Sequence, residues 1–105
     1  MNPVIAPAAV ELHGVTLWFS GRLQRDAVAA LWMTLPTGKW SMLDLSHVSA
    51  LDTAGLALLV EVAARGRRAG GGTQQILNAP AGYDALCAAY RIRPDLEDCP
   101  DAPQV

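Results

Sequence analysis

Hydrophobic residues alternate with polar ones early in the chain and later recur at helical spacing. Residues 10–13 alternate, and the alternation resumes in residues 15–19 after Gly14, which predicts two strands joined as an antiparallel hairpin. Residues 24–35 carry apolar side chains every three or four positions, as an amphipathic helix does. In chain order, the pattern then predicts strand 41–45, loop 46–51, helix 52–68, strand 74–78 and a last helix that opens at residues 80–82 and ends by Pro94.

This order predicts the fold class. Strands and helices alternate as β-β-α-β-α-β-α, so we expect an α/β protein with one mixed four-stranded sheet and helices mainly on one face. A chain of 105 residues suits one small domain. We assign that domain to residues 9–94, with a flexible N-terminal arm at 1–8. Residues 95–105 contain acidic but no basic side chains, which predicts a disordered tail.

The stretch from residue 41 to residue 60 carries the candidate functional chemistry. Asp52 and Thr53 are both good N-cap residues for the helix that follows. Ala54 and Gly55 are small, so nothing bulky covers the free backbone N–H groups of the first turn. We expect the Thr53 hydroxyl to lie at the positive end of the helix dipole, beside the carboxylates of Asp44 and Asp52. Such a position suits a switch or a docking contact.

Helical spacing divides the helix 52–68 into two faces. One face, predicted to pack on the sheet, carries Leu56, Leu59, Val60 and Ala63. The opposite face carries Ala54, Leu58, Glu61 and Arg65, and we expect the last two to form an i, i+4 ion pair. Ala54 and Leu58 are then either single exposed apolar residues, which are common, or a patch that binds a partner beside Thr53.

Two segments resemble a known family. Asp44-Leu45-Ser46, followed by Asp52-Thr53-Ala54-Gly55-Leu56-Ala57-Leu58-Leu59, is similar to the core motif of STAS domains, which include the anti-sigma factor antagonists of bacteria. Gly21-Arg22-Leu23 resembles the family's Gly-x-Leu turn before the first helix, although Gln24 stands where many members have Asp. The motif around Thr53, together with Trp32, is most similar to the STAS subunits of Mla-type phospholipid-transport ABC complexes.

The resemblance implies two alternative functions. As an Mla-type subunit, the protein binds the ABC transporter ATPase subunit through the start of the helix at 52–58 and the loop at 46–49, and supports phospholipid asymmetry of the outer membrane. As an anti-sigma factor antagonist, it binds an anti-sigma factor kinase that phosphorylates Thr53. The candidate partner-binding residues are Ser46, His47, Asp52, Thr53, Ala54, Gly55 and Leu58, with Thr53 also the candidate phosphorylation residue.

Composition narrows the function classes further. A net charge of −2 argues against a broad nucleic-acid binder, and no stretch has the length or hydropathy of a membrane span. The start of the chain lacks the basic region of a signal peptide. We therefore expect a cytoplasmic protein that does not insert into the membrane and meets the inner membrane through its partner.

We expect no enzymatic activity, cofactor or metal. The two cysteines, Cys87 and Cys99, lack metal-ligand spacing. Asp44 with Asp52 as an acid/base pair, or Thr53 as a nucleophile with His47 and Asp52, would need a concave pocket that a helix start beside a surface loop does not offer.

Overall fold

The order of strands and helices follows the hydrophobic pattern. The computed structural model describes residues 8–93 and Leu96. Residues 1–7 of the predicted arm at 1–8 lie outside the described residues, as do residues 94, 95 and 97–105 at the end of the chain. The elements are β1 (Ala9–His13), β2 (Thr16–Leu23), α1 (Arg25–Met33), β3 (Met42–Leu51), α2 (Thr53–Gly66), a π-type turn (Arg67–Gly71), β4 (Gln75–Leu77) and α3 (Tyr83–Ala89).

The four strands form one mixed sheet in the order β1-β2-β3-β4. β1 pairs antiparallel with β2 through a tight turn at Gly14, whose φ of 64° favours glycine. β2, β3 and β4 then run parallel, connected by α1 and by α2. The α/β fold class with a four-stranded mixed sheet is therefore confirmed.

The core lies between one face of the sheet and the helices. Along β2, Leu17 and Phe19 are fully buried, whereas Trp18 between them is 37% exposed. This alternation shows that the helices cover one face of the sheet and leave the face with Trp18 open. None of the helices in the described part of the chain has the length and apolar character needed to cross a membrane.

The predicted loop at residues 46–51 is wrong, because β3 continues without interruption to Leu51. Its second half pairs with the second half of β2, from Ser20 opposite His47 to Leu23 opposite Leu51. The pairing of β1 with β2 ends at Ser20, opposite Ala9, but β2 itself continues to Leu23. The pairing shifts register on both sides of this segment, and Gly21, at a φ of 86°, lies at the irregularity.

The C-terminal end of α2 is fixed by a side chain that lies just before β3 in the chain. The indole N–H of the buried Trp40 donates to the carbonyl oxygen of Val62 at 3.1 Å. Gly66 leaves room for this indole, because a Cβ there would lie 2.5 Å from Trp40 Nε1. The end of α2 therefore has little freedom to move against the sheet.

The last helix and the residues after it depart from prediction. Tyr83 and Cys87 of α3 are buried, whereas Tyr90, which follows the helix, is 58% exposed. Leu96 is fully buried, and its carbonyl oxygen accepts a hydrogen bond from the Arg67 guanidinium at 3.1 Å. At this position, the prediction of a tail that takes no part in the fold is wrong.

Candidate functional site

One carboxylate, that of Asp52, caps two helices. Its Oδ1 accepts a hydrogen bond from the backbone N–H of Gly55 in α2 at 2.8 Å, which confirms Asp52 as the N-cap. Its Oδ2 accepts from the backbone N–H of Arg25, the first residue of α1, at 3.0 Å. Gln24, at the N-cap position of α1, makes no such side-chain bond. Asp52 therefore joins the start of α1 to the start of α2.

The charge on Asp52 is stabilised where it lies. Partial burial alone would raise the pKa of this carboxyl, but the backbone N–H groups of Gly55 and Arg25 outweigh burial and hold the pKa below its ordinary value. Asp52 thus stays ionised at neutral pH, at the positive ends of two helix dipoles. Its role in the structure is to hold these ends together.

Gly55 lies at the same junction between α1 and α2, where there is no room for a side chain. A Cβ at Gly55 would lie 1.9 Å from the carbonyl oxygen of Leu23, the last residue of β2. The start of α2 therefore packs directly on the end of β2. This packing explains why Asp and Gly stand at positions 52 and 55. Between them, Thr53 is exposed and Ala54 is half-buried.

Beside Thr53, a groove of about 320 Å³ runs between α1 and α2. Leu58 is only 4% exposed, so the prediction that it stands on an exposed outer face is wrong. It is buried because α1 packs along that side of α2. Trp32 is 39% exposed, and the surface of the groove is almost entirely apolar. The groove is lined by Val28, Trp32, Ala54, Ala57, Leu58 and Glu61.

The end of this groove carries a cation. The guanidinium carbon of Arg65 lies 5.4 Å from the centroid of the Trp32 ring, within the range of a cation–π contact. The predicted ion pair between Glu61 and Arg65 is not formed. Within residues 8–93 and Leu96, the contact of this kind is between His13 and Glu11 on β1, at 2.8 Å, and it is an ion pair only when His13 is protonated.

Asp44 does not lie beside Thr53, contrary to the sequence-based prediction. The part of β3 from Asp44 to Leu51, the residue before Asp52, lies opposite five residue steps of β2, which is about 17 Å at the rise of a strand. Asp44 is buried, and its carboxylate accepts from the backbone N–H of Ser46 at 2.8 Å and from the Asn78 amide at 3.4 Å. Burial raises the pKa of Asp44, and the hydrogen bonds from Ser46 and Asn78 lower it to a net value below the ordinary one.

Ser46 and His47 are also separate from Thr53. Both are exposed in the middle of β3, and the Ser46 hydroxyl lies 3.2 Å from Nδ1 of His47. The His47 ring is 6.2 Å from that of Trp18, on the open face of the sheet. These residues adjoin a second concavity of about 500 Å³, which Glu11 and His13 also line. The structure thus brings together Asp52, Thr53, Ala54, Gly55 and Leu58, but not Ser46 or His47.

This arrangement does not form the catalytic groups considered from the sequence. From His47 to Leu51, β3 lies opposite three residue steps of β2, or about 10 Å, and Thr53 is farther still, so His47 cannot take a proton from Thr53 in this fold. Asp44 and Asp52 are too far apart to act as a carboxylate pair. Among the described residues, no cluster of three or more His, Cys, Asp or Glu side chains is placed to hold a metal ion. What the arrangement offers is a surface for binding.

The groove residues from α1 were not identified as functional by the sequence. Val28 and Trp32 recur at helical spacing with core residues, and this spacing predicts that they belong to the buried face of the first helix. Ala57 was assigned no role, and Arg65 was placed in an ion pair. The usable signal was Trp32 itself, because a large amphipathic ring often lies at the border of a core and an interface.

Comparisons with known proteins do not identify a family for this chain. A scan of family models returns no match, and a search of curated proteins finds no relative. The function is therefore argued from the surface itself and from the motif that contains Thr53.

Proposed function

We propose that this chain is a non-enzymatic STAS-type subunit that binds and supports the ATPase of an Mla-type ABC transporter, which maintains phospholipid asymmetry of the outer membrane. The observation that carries this proposal is the exposed Thr53 at the start of α2, directly beside an apolar groove. In this function, the protein works in the cytoplasm, at the inner membrane, through its partner.

The physical character of the surface supports a protein partner. Interface centres are depleted in charge and enriched in large aromatic side chains, and Trp32 is of this kind. The small side chains of Ala54 and Ala57 allow another backbone to approach α2 closely. Thr53 adds a hydroxyl that can donate or accept a hydrogen bond at the border of the apolar area. A partner that covers Thr53 would also cover the groove.

The test is capture of the protein by the tagged cognate ATPase, with Thr53→Glu and Thr53→Ser as matched variants. Glutamate adds a bulky charge, whereas serine keeps the hydroxyl and removes one methyl group. A helix N-terminus accepts negative charge, so both variants should fold, as circular dichroism will verify. We expect Thr53→Glu to lose at least about 2 kcal/mol of binding free energy, because an unpaired carboxylate is then desolvated. We expect Thr53→Ser to bind as wild type does.

Full binding by folded Thr53→Glu protein would exclude Thr53 from the centre of the contact. Absence of any complex between wild-type protein and the ATPase would refute the proposed function itself.

A second function, that of an anti-sigma factor antagonist, is supported by the same exposed hydroxyl. Phosphate on Thr53 would add about −1.5 to −2 charges at a helix N-terminus, a location that binds phosphate well. It would also stand next to the ionised Asp52, so the modified surface would become strongly acidic. Incubation with the cognate serine kinase tests this function. Label on wild-type protein but not on Thr53→Ala, without ATPase binding, would favour it over the transporter function.

A further inference from the structure

The groove between α1 and α2 has the dimensions of a helix-binding site. Ala54, Ala57 and Glu61 follow one side of it over two turns of α2, which is about 10 Å of helix. Alanine at positions 54 and 57 allows the axis of a third helix to come within the usual packing distance of about 8 to 10 Å. A bulkier side chain at the exposed Ala57 would keep such a helix away.

One wall of the groove is an aromatic side chain of α1. Trp32 forms this wall and is 39% exposed. An apolar groove with an exposed aromatic wall suits the apolar face of an amphipathic helix, which places side chains at i, i+3 and i+4 into it. The apolar character of the occupant follows from that of the groove.

Arg65 indicates that a helix bound in the groove carries a negative charge. Arg65 is half-buried, its guanidinium lies over the Trp32 ring, and no carboxylate in the described part of the chain pairs with it. Glu61, one turn away, is exposed and free to turn towards water. The stacked guanidinium of Arg65 presents its N–H groups in a fixed plane that matches a carboxylate. A partner carboxylate would therefore complete the interactions of Arg65 when the groove is covered.

From these observations, and resting on the proposed function, we infer that the ATPase partner binds through an amphipathic helix seated in the α1/α2 groove. An apolar side chain of that helix contacts Trp32 and Ala57, and an Asp or Glu of the same helix pairs with Arg65. The contact thus extends along α2 from Thr53 to Arg65.

The test measures the dissociation constant of the full-length protein with the cognate ATPase for four variants. Ala57→Gln places a larger side chain at an exposed position in the groove. Ala85→Gln makes the same change at an exposed position of α3, outside the groove. Arg65→Glu reverses the charge in the groove, and Arg68→Glu reverses an exposed charge outside it. We expect Ala57→Gln and Arg65→Glu to weaken binding about tenfold or more, and both controls to stay within about twofold of wild type.

A second step identifies the carboxylate. Each Asp or Glu on the surface helices of the ATPase is replaced by Arg, and one of these replacements should restore binding to Arg65→Glu. Restoration at one acidic position, by a replacement that weakens the binding of Arg68→Glu because Arg65 is intact there, supports the inference; restoration at no position would overturn it.

The outcomes separate this inference from the proposed function. If wild type binds and Thr53→Glu does not, but Ala57→Gln and Arg65→Glu bind as wild type does, the groove inference fails and the function stands. If wild type does not bind the ATPase, both fail. If light scattering shows that wild type is a dimer and that Ala57→Gln is a monomer, a second copy occupies the groove, which also overturns the inference.

Discussion

Replacing Asp52 with alanine removes two helix caps in one step. The side chain accepts one hydrogen bond from α2 at 2.8 Å and one from α1 at 3.0 Å. A lost cap costs about 1 kcal/mol, so the two together amount to about 2 kcal/mol. For a domain of this size, the midpoint of thermal unfolding should fall by about 8 °C or more. Urea denaturation of wild type and Asp52→Ala, followed by circular dichroism at pH 7, measures the free-energy difference directly.

Asparagine at position 52 provides the matched control. Its amide has one acceptor oxygen, so it can cap one of the two helices, and its NH₂ group cannot accept from the other. The unfolding free energy of Asp52→Asn should therefore fall between those of wild type and Asp52→Ala. A loss below about 0.5 kcal/mol for Asp52→Ala would refute the double-cap explanation, because that value is typical of ordinary surface substitutions.

The same carboxylate makes stability depend on pH. The folded-state pKa of Asp52 lies below its ordinary value of 3.8, so its ionisation stabilises the fold above that value. The stabilisation is lost as the pH falls through the folded-state pKa. The advantage of wild type over Asp52→Asn should therefore be constant from about pH 5 to pH 7 and shrink below about pH 4. An advantage unchanged at pH 3 would contradict this assignment.

Two further predictions concern packing and use urea denaturation as the measurement. Gly55→Ala should lower the unfolding free energy by about 3 kcal/mol, because the new Cβ would lie 1.9 Å from the Leu23 carbonyl oxygen. A change under about 1 kcal/mol would show that α2 moves away from β2 at little cost. Leu96→Ala should lower it by about 2 to 4 kcal/mol, because Leu96 is fully buried; an unchanged value would mean that Leu96 does not belong to the core.

The sequence predicted those elements whose patterns are local. The alternation in 10–19 and the helical spacing in 24–35 depend on neighbouring residues alone; both hairpin strands and α1 appear in the structure, although β2 continues beyond the alternation to Leu23. The N-cap role of Asp52 on α2 is equally local, because its partner Gly55 is three residues away. Such features can be inferred from one sequence because they involve the residues of a single element.

The wrong predictions share a different cause, which is contact between segments that are distant in the sequence. The second half of β3 is polar and resembles a loop, and it becomes a strand only because β2 continues beside it to Leu23. That extension moved Ser46 and His47 far from Thr53. Leu58 is buried by α1, and the second bond of Asp52 reaches Arg25, 27 residues earlier. None of these contacts has a signal in the local pattern.

Hydrogen exchange of the full-length protein, alone and with the cognate ATPase, tests the central proposal most directly. Amides of α2 from residue 54 to residue 65, and those of α1 around Trp32, should become protected when the ATPase is added. Peptides covering Trp18 and His47, on the open face of the sheet, should exchange at the same rate with and without it. Protection confined to the open face, with no change in α2, would contradict the account, since the partner would then bind the opposite side of the molecule.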